Sequence, residues 1–215
     1  MFPIGDDDSG RRTFPVVTYA LIALNVIFFM IEMSGGDEFI MRWAFIPHRF
    51  LADPAAGFLT IFASMFMHAG WVHLGGNMLY LWIFGDNIED RFGHPKFLLF
   101  YLLCGIVATF AQLAFNPGSQ VPNVGASGAI AGVLGAYILL FPGSRVKVLM
   151  GRGVVAVPAL VVIGLWIVLQ FVSGIGSISS TADTGGVAYM AHIGGFAAGL
   201  ALSFVFRGRA VQAAT

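Results

Sequence analysis

Charge is what this sequence has least of. Only 10% of its 215 residues are Asp, Glu, Lys or Arg, against about 25% in soluble domains. With 58% of the chain hydrophobic, so few ionic groups exclude an ordinary soluble globular domain. No charge of one sign dominates either. Eleven Lys and Arg balance eleven Asp and Glu, leaving no basic excess to neutralise a phosphate backbone, so nucleic acid is not an expected partner. Cysteine is nearly absent. Cys104 alone can form neither an internal disulfide nor a cysteine-paired metal site, and its apolar surroundings predict a buried, inert thiol.

What is abundant is Gly (28 residues) and Phe (21 residues), set within long apolar runs. Crossing roughly 30 Å of hydrocarbon takes about 20 apolar helical residues. Six candidate spans follow: Phe14–Met33, Trp71–Gly85 (with a shorter apolar stretch, Phe58–Met67, before it), Phe97–Phe115, Ser127–Phe141, Val154–Val172 and Gly186–Phe206. The runs are continuously apolar and do not alternate, which favours helices over a barrel. The first run is longer than a secretory signal core and follows Asp6, Asp7 and Asp8, so it reads as a retained span. The expected fold is an all-α polytopic membrane protein with six transmembrane helices. Residues 1–13 are expected as a tail, 14–206 as the membrane domain and 207–215 as a second tail.

Basic residues set the orientation. Six spans put both termini on one side, with nine of the eleven Lys and Arg: Arg11, Arg12, Arg91, Lys96, Arg145, Lys147, Arg152, Arg207 and Arg209. Only Arg42 and Arg49 fall opposite. Positive loops stay in the cytoplasm. Both termini are therefore expected there, in a multi-pass protein of the plasma or inner membrane.

Polar groups inside spans are costly, so each is a functional hypothesis. His73, Asn77, Ser127 and His192 all lie near the outer starts of spans two, four and six. They share one shallow layer, whereas Asn25, Gln112 and Gln170 are scattered singly in spans one, three and five. Span four is only about 22 Å long at 1.5 Å per residue. Its inner end is set by Pro142-Gly143 and Arg145. Ser127 should thus lie below the membrane surface, with loop 116–126 dipping toward it. Irregular backbone at that depth must line protein or a watery cavity.

Gly125-Ala126-Ser127-Gly128 puts the serine at a helix N-terminus, where unpaired N–H groups can hold an oxyanion. The bland alternative is a serine cap with packing glycines. His192 shares a helix face with Gly195 and Gly199. Span four offers Gly128, Gly132 and Gly135, so two small-residue faces can meet; the alternative is a packing seam around a satisfied histidine. His68-x4-His73-x3-Asn77 offers hydrogen-bond donors for an oxyanion, or a polar cluster tying the first loop to span two. A zinc site of His68, His73 and His192 is a further alternative. Against it stand the lack of a His-Glu-x-x-His pair and of any carboxylate read in that layer.

With these residues in place, the chain resembles the rhomboid family of intramembrane serine proteases from about Phe14 to Phe206. The resemblance rests on His68-x4-His73-x3-Asn77, Glu89-Asp90-Arg91-Phe92-Gly93, Gly125-Ala126-Ser127-Gly128, and Ala191-His192 with Gly195 and Gly199. It implies a Ser–His dyad without an acidic third member, with Ser127 as nucleophile on a short fourth helix and His192 as base. It implies an oxyanion site of His73, Asn77 and the Ser127 N–H, with His68 in support. Glu89 and Arg91 match a structural pair. No metal or cofactor is implied, and the substrates would be transmembrane proteins in the lipid bilayer.

Two departures stand out. Where many relatives carry Trp-Arg in the first loop, this chain has Gly57-Phe58-Leu59-Thr60. Where some place a tyrosine on the catalytic histidine, it has Ala131. Phe196 or a neighbouring helix is then left to hold the imidazole. Asp183 comes too early in sequence to orient it, and the Gly-, Ser- and Thr-rich stretch Ser173–Gly185 is expected as a mobile cap. A small transporter or channel, or a non-catalytic binding relative, remains as the alternative use of the same outward cavity.

Overall fold

The computed structural model describes residues 2–7, 10–179 and 188–206, with side chains omitted for 176–179. Asp183, Gly186, Arg207, Arg209, the 207–215 tail and most of the expected cap lie outside the described residues.

The helices follow the apolar runs. They are α1 (Val16–Trp43), α2 (Pro47–Ala52), α3 (Pro54–Ala63) with a 3-10 turn at Ser64–Phe66, α4 (Trp71–Phe92), α5 (His94–Phe115), α6 (Ser127–Leu140), α7 (Ala159–Ser179) and α8 (Tyr189–Phe206). Among the described residues, α1, α5 and α8 are each long and apolar enough to cross a membrane. Pro54–Phe66 and α4 pass that test together, bent by 77° at the break between them. The apolar helices α6 and α7 are shorter. Exposed Ile27, Met30, Val168, Leu169, Phe204 and Val205 are the sort of surface that lipid covers.

Three local features set the helix ends. Gly36, at φ 59° and ψ −154°, breaks α1 near the end of the expected first span. Asp53 caps α3 by accepting from the Ala56 N–H at 3.0 Å, and Pro54 fills the first helical position. α6 has 14 residues, about 21 Å of helix, as short as its sequence predicts. It sits at the centre of the bundle, buried continuously from Gly128 to Tyr137 among α4, α5 and α8.

The helical reading needs one addition. A three-stranded antiparallel sheet, β1 (Phe2–Gly5), β2 (Arg145–Met150) and β3 (Gly153–Pro158), lies where α6 ends, at the end away from Ser127. It claims Val154–Pro158, the first residues of the expected fifth span, so α7 starts at Ala159. It also takes up part of the 1–13 stretch expected as a tail. Phe2 pairs with Leu149 and Pro3 with Val148. Beyond the strand, Asp6 is buried and accepts from Tyr137 Oη on α6 and from Asn87 Nδ2 on α4. Arg11 pairs with Asp86. β-branched side chains favour the strand for the valine run, and Gly151, at φ 61°, makes the turn between β2 and β3.

Glu89 is fully buried at the far end of α4 and acts on α1 rather than on Arg91. Its carboxylate accepts from the Val17 and Thr18 N–H groups and from Thr18 Oγ1, at 2.7–2.8 Å. These are otherwise unpartnered donors of a helix N-terminus. Its other neighbour is His94 Nδ1 at 2.5 Å. Arg91 is exposed and makes no ion pair with Glu89. Two residues on, it points roughly 200° around the helix, so the expected pair does not form. Glu89→Ala is expected to lower the unfolding temperature in detergent clearly, because each buried donor left unpaired costs about 1–3 kcal/mol. Glu89→Gln, which keeps an acceptor oxygen, should be milder. Unfolding of Glu89→Ala at the wild-type temperature would refute this cap.

Candidate active site

The site is assembled at the N-terminal ends of α4, α6 and α8. Loop 116–126 is held down to reach it: Phe45 and Asn123 exchange backbone hydrogen bonds at 3.3 and 2.8 Å, and the Gly125 N–H donates to the Ser64 carbonyl at 2.9 Å. Gly125 has φ +133°, a conformation that side chains resist. A Cβ there would also lie 2.9 Å from His73 Cε1. The glycine thus lets the loop turn into α6 directly beneath the His73 ring, with half-buried Ser127 as the first helical residue.

α8 packs on α6 along the glycine faces. A Cβ on Gly195 would fall 2.0 Å from the Gly128 carbonyl oxygen, and one on Gly199 2.0 Å from that of Gly132. This is backbone-to-backbone contact, available only to glycine. It carries His192 to Ser127, with Nε2 2.7 Å from Oγ. The imidazole is held from α7. Gln170 Oε1 lies 2.7 Å from Nδ1, and the Trp166 ring lies 5.5 Å from the imidazole, tilted by 40°. The neighbouring helix, not Phe196, supplies this support. Gln170 and Trp166 are four residues apart and share a face; Gln170 stood in the sequence as an isolated polar residue in an apolar run.

His73, Asn77, Ser127 and His192 line one cavity of about 790 Å³, together with Trp71, Tyr80 and Trp166 among others. His73 Nδ1 accepts from the Ala69 N–H at 3.3 Å, so a neutral ring carries its hydrogen on Nε2, on the Gly125 side. Asn77 Nδ2 is buried and, among the described residues, has no hydrogen-bond partner. Both are donors that a developing negative charge beside Ser127 can use. His68 stands behind this layer. It is buried, edge-on to His73 with ring centroids 5.1 Å apart.

The His68 N–H donates to Glu32 Oε2 at 2.9 Å. Glu32 is a buried carboxylate in α1 that stands with His68 behind this layer. A lone glutamate in an apolar run was the available clue. Among the described residues, no three His, Cys, Asp or Glu side chains are grouped to hold a metal. Cys104 is buried against the Gly132 position of α6.

A rhomboid domain model matches residues 55–209, from α3 to just past α8. The chain belongs to the rhomboid family. It is 32% identical over 192 residues to the rhomboid protease GluP of Bacillus subtilis, covering 87% of this chain and 35% of that protein. It is 28% identical over 184 residues to the mitochondrial rhomboid protein 1 of Saccharomyces cerevisiae, covering 83% and 50%. A third relative, the mitochondrial presenilin-associated rhomboid-like protein of Bos taurus, is 31% identical over 145 residues, covering 65% and 36%. The matches thus span a third to a half of these relatives' own lengths. Rhomboids are multi-pass integral membrane proteins, generally intramembrane serine proteases, and some members are pseudoproteases.

Proposed function

We propose that this rhomboid is an active intramembrane serine endopeptidase that cuts transmembrane proteins in or near their spans with a Ser127–His192 dyad. The 2.7 Å approach of His192 Nε2 to Ser127 Oγ carries the reading, since a pseudoprotease has no need of a nucleophile hydrogen-bonded to a base. His192 takes the Ser127 proton as Oγ adds to the scissile carbonyl carbon. The carbonyl oxygen becomes an oxyanion, facing the Ser127 N–H, Asn77 Nδ2 and His73 Nε2–H. Collapse breaks the C–N bond, and His192 passes its proton to the leaving amine. Water, deprotonated by His192, then hydrolyses the acyl-serine and restores the dyad.

Several observations give this reading its finer detail. A second cavity of about 20 Å³ beside Ser127 is lined by Gly105, Ala108, Gly128 and Ala129 among others. Room on that scale, about one water, favours a small residue before the cut. The distribution of Lys and Arg supports cytoplasmic termini, hence a site opening on the outer side of a plasma or inner membrane. A cytoplasm-only reporter fused after Thr215 should be active.

A serine-directed fluorophosphonate should label Ser127 in the purified protein, and a model transmembrane substrate should be cut. Neither labelling nor cutting would place the chain among the pseudoproteases. Asn77→Ala should lower turnover by up to about 10²–10³-fold, the usual cost of one oxyanion donor. His73 and the Ser127 amide can take up part of the charge, so the double variant with His73→Ala should fall further. A wild-type rate in the double variant would remove both residues from the oxyanion site.

A further inference from the structure

The dyad has a third partner that is not acidic. Gln170 is half-buried in α7 within an apolar segment, Val161 to Val172. A polar amide there carries a cost, offset by what it meets: its Oε1 lies 2.7 Å from His192 Nδ1. Among the described residues, the groups that face the imidazole from packed elements are Ser127 of α6, Trp166 and Gln170 of α7, and His73, Asn77 and Tyr80 of α4 across the cavity. None is a carboxylate. Gln112 of α5 is spoken for by the Ala191 N–H at 3.3 Å. Among the described residues, Gln170 alone contacts Nδ1.

A neutral imidazole carries one hydrogen, and the hydrogen bond at one nitrogen decides the state of the other. An amide oxygen can only accept. Facing Nδ1, it draws the hydrogen there and leaves a lone pair on Nε2, toward the serine hydroxyl at 2.7 Å. With an N–H donor in the same place, Nδ1 would have to accept. The hydrogen would then move to Nε2, and Ser127 would lose its base. The wrong tautomer is expensive: in a serine protease triad it costs about 10⁴-fold in turnover.

We propose that Gln170 is a positioning residue, a neutral third member that locks His192 in its Nδ1–H tautomer and aims Nε2 at Ser127. The proposal rests on the reading of these two residues as base and nucleophile. Unlike a carboxylate, the amide offers the imidazolium only a dipole, so its part is orientation and proton placement rather than charge compensation.

The test is nitrogen-15 NMR of histidine-labelled protein in detergent, with the His192 resonances assigned from a His192→Gln spectrum, alongside steady-state cleavage. Wild type should show protonated Nδ1 and bare Nε2. Gln170→Met, of similar length but without an acceptor, should mix or invert that pattern. Its kcat should drop about 10- to 100-fold, the scale of a misplaced catalytic group, with KM unchanged. Gln170→Glu, which keeps an acceptor oxygen at the same reach, should restore both pattern and rate in large part.

Protonated Nε2 in the wild type would overturn the proposal without any variant. An unchanged tautomer or an unchanged kcat in Gln170→Met would overturn it too. A wild type that cuts nothing, while its tautomer still depends on Gln170, would refute the protease reading and support the lock.

Discussion

Ser127→Ala and His192→Ala are each expected to bring cleavage of a membrane-embedded substrate to the assay floor, a loss of at least about 10⁴-fold. The two groups act as one unit. Without Oγ there is nothing to acylate, and without Nε2 the hydroxyl keeps its proton. The double variant should therefore be no worse than either single one, because effects within a catalytic unit do not add. Fold should survive. Ser127 is only half-buried at the first position of α6, and alanine is a good helix former. Cleavage and unfolding temperature measured on the same preparations check this. Substantial turnover in either variant, or fluorophosphonate labelling that survives Ser127→Ala, would remove the dyad.

Gly199→Val is expected to be the most damaging substitution outside the dyad. Its Cβ would stand 2.0 Å from the Gly132 carbonyl oxygen and 2.5 Å from Gly132 Cα. These are backbone atoms of the central helix and cannot swing aside, so α6 and α8 must separate. Overpacking of this kind costs about 1–3 kcal/mol or more. Gly199 lies two turns beyond His192, about 10 Å along α8, so separation there tilts the imidazole away from Ser127. Misplacement by 1 Å can cost about 10²-fold in rate.

The controls are graded by exposure. Ala198 is half-buried beside the core and Ala197 is exposed, so Ala197→Val should behave as wild type and Ala198→Val should fall between. Equal unfolding temperatures and cleavage rates for Ala197→Val and Gly199→Val would reject the glycine contact as the means of assembling the dyad.

How much was legible differs by residue. Ser127, His192, His73 and Asn77 were picked out because each is polar in an apolar run and all four fall at one depth, and the fold gathers all four around a single cavity. The glycine faces of α6 and α8 were legible for the same reason: a repeat at three or four residues marks one side of a helix. The valine run at Val154–Val157 reads in the sequence as the start of a span and forms a strand in the fold. Hydropathy does not distinguish a strand from a helix in so short an apolar run. The alternation in Arg145-Val146-Lys147-Val148 and the nearby Gly151 were the available strand clues. Glu89 and Arg91 are a pair only by resemblance to the family, and positions i and i+2 of a helix do not face each other.

Composition and order along the chain determined by themselves that this is a membrane protein, where its helices run and which polar side chains share a layer. Those are local properties: burial in lipid depends on the apolar content of each segment, and depth depends on counting residues from its ends. Which atoms meet was decided only by tertiary structure. Gln170 reaches His192 across 22 positions, His68 reaches Glu32 across 36, and Asp6 reaches Tyr137 across 131. Each contact depends on how one helix is rotated and packed against another. An isolated polar residue in a span carries no mark of the partner it will face, because that is set by the packing of the other helices around it.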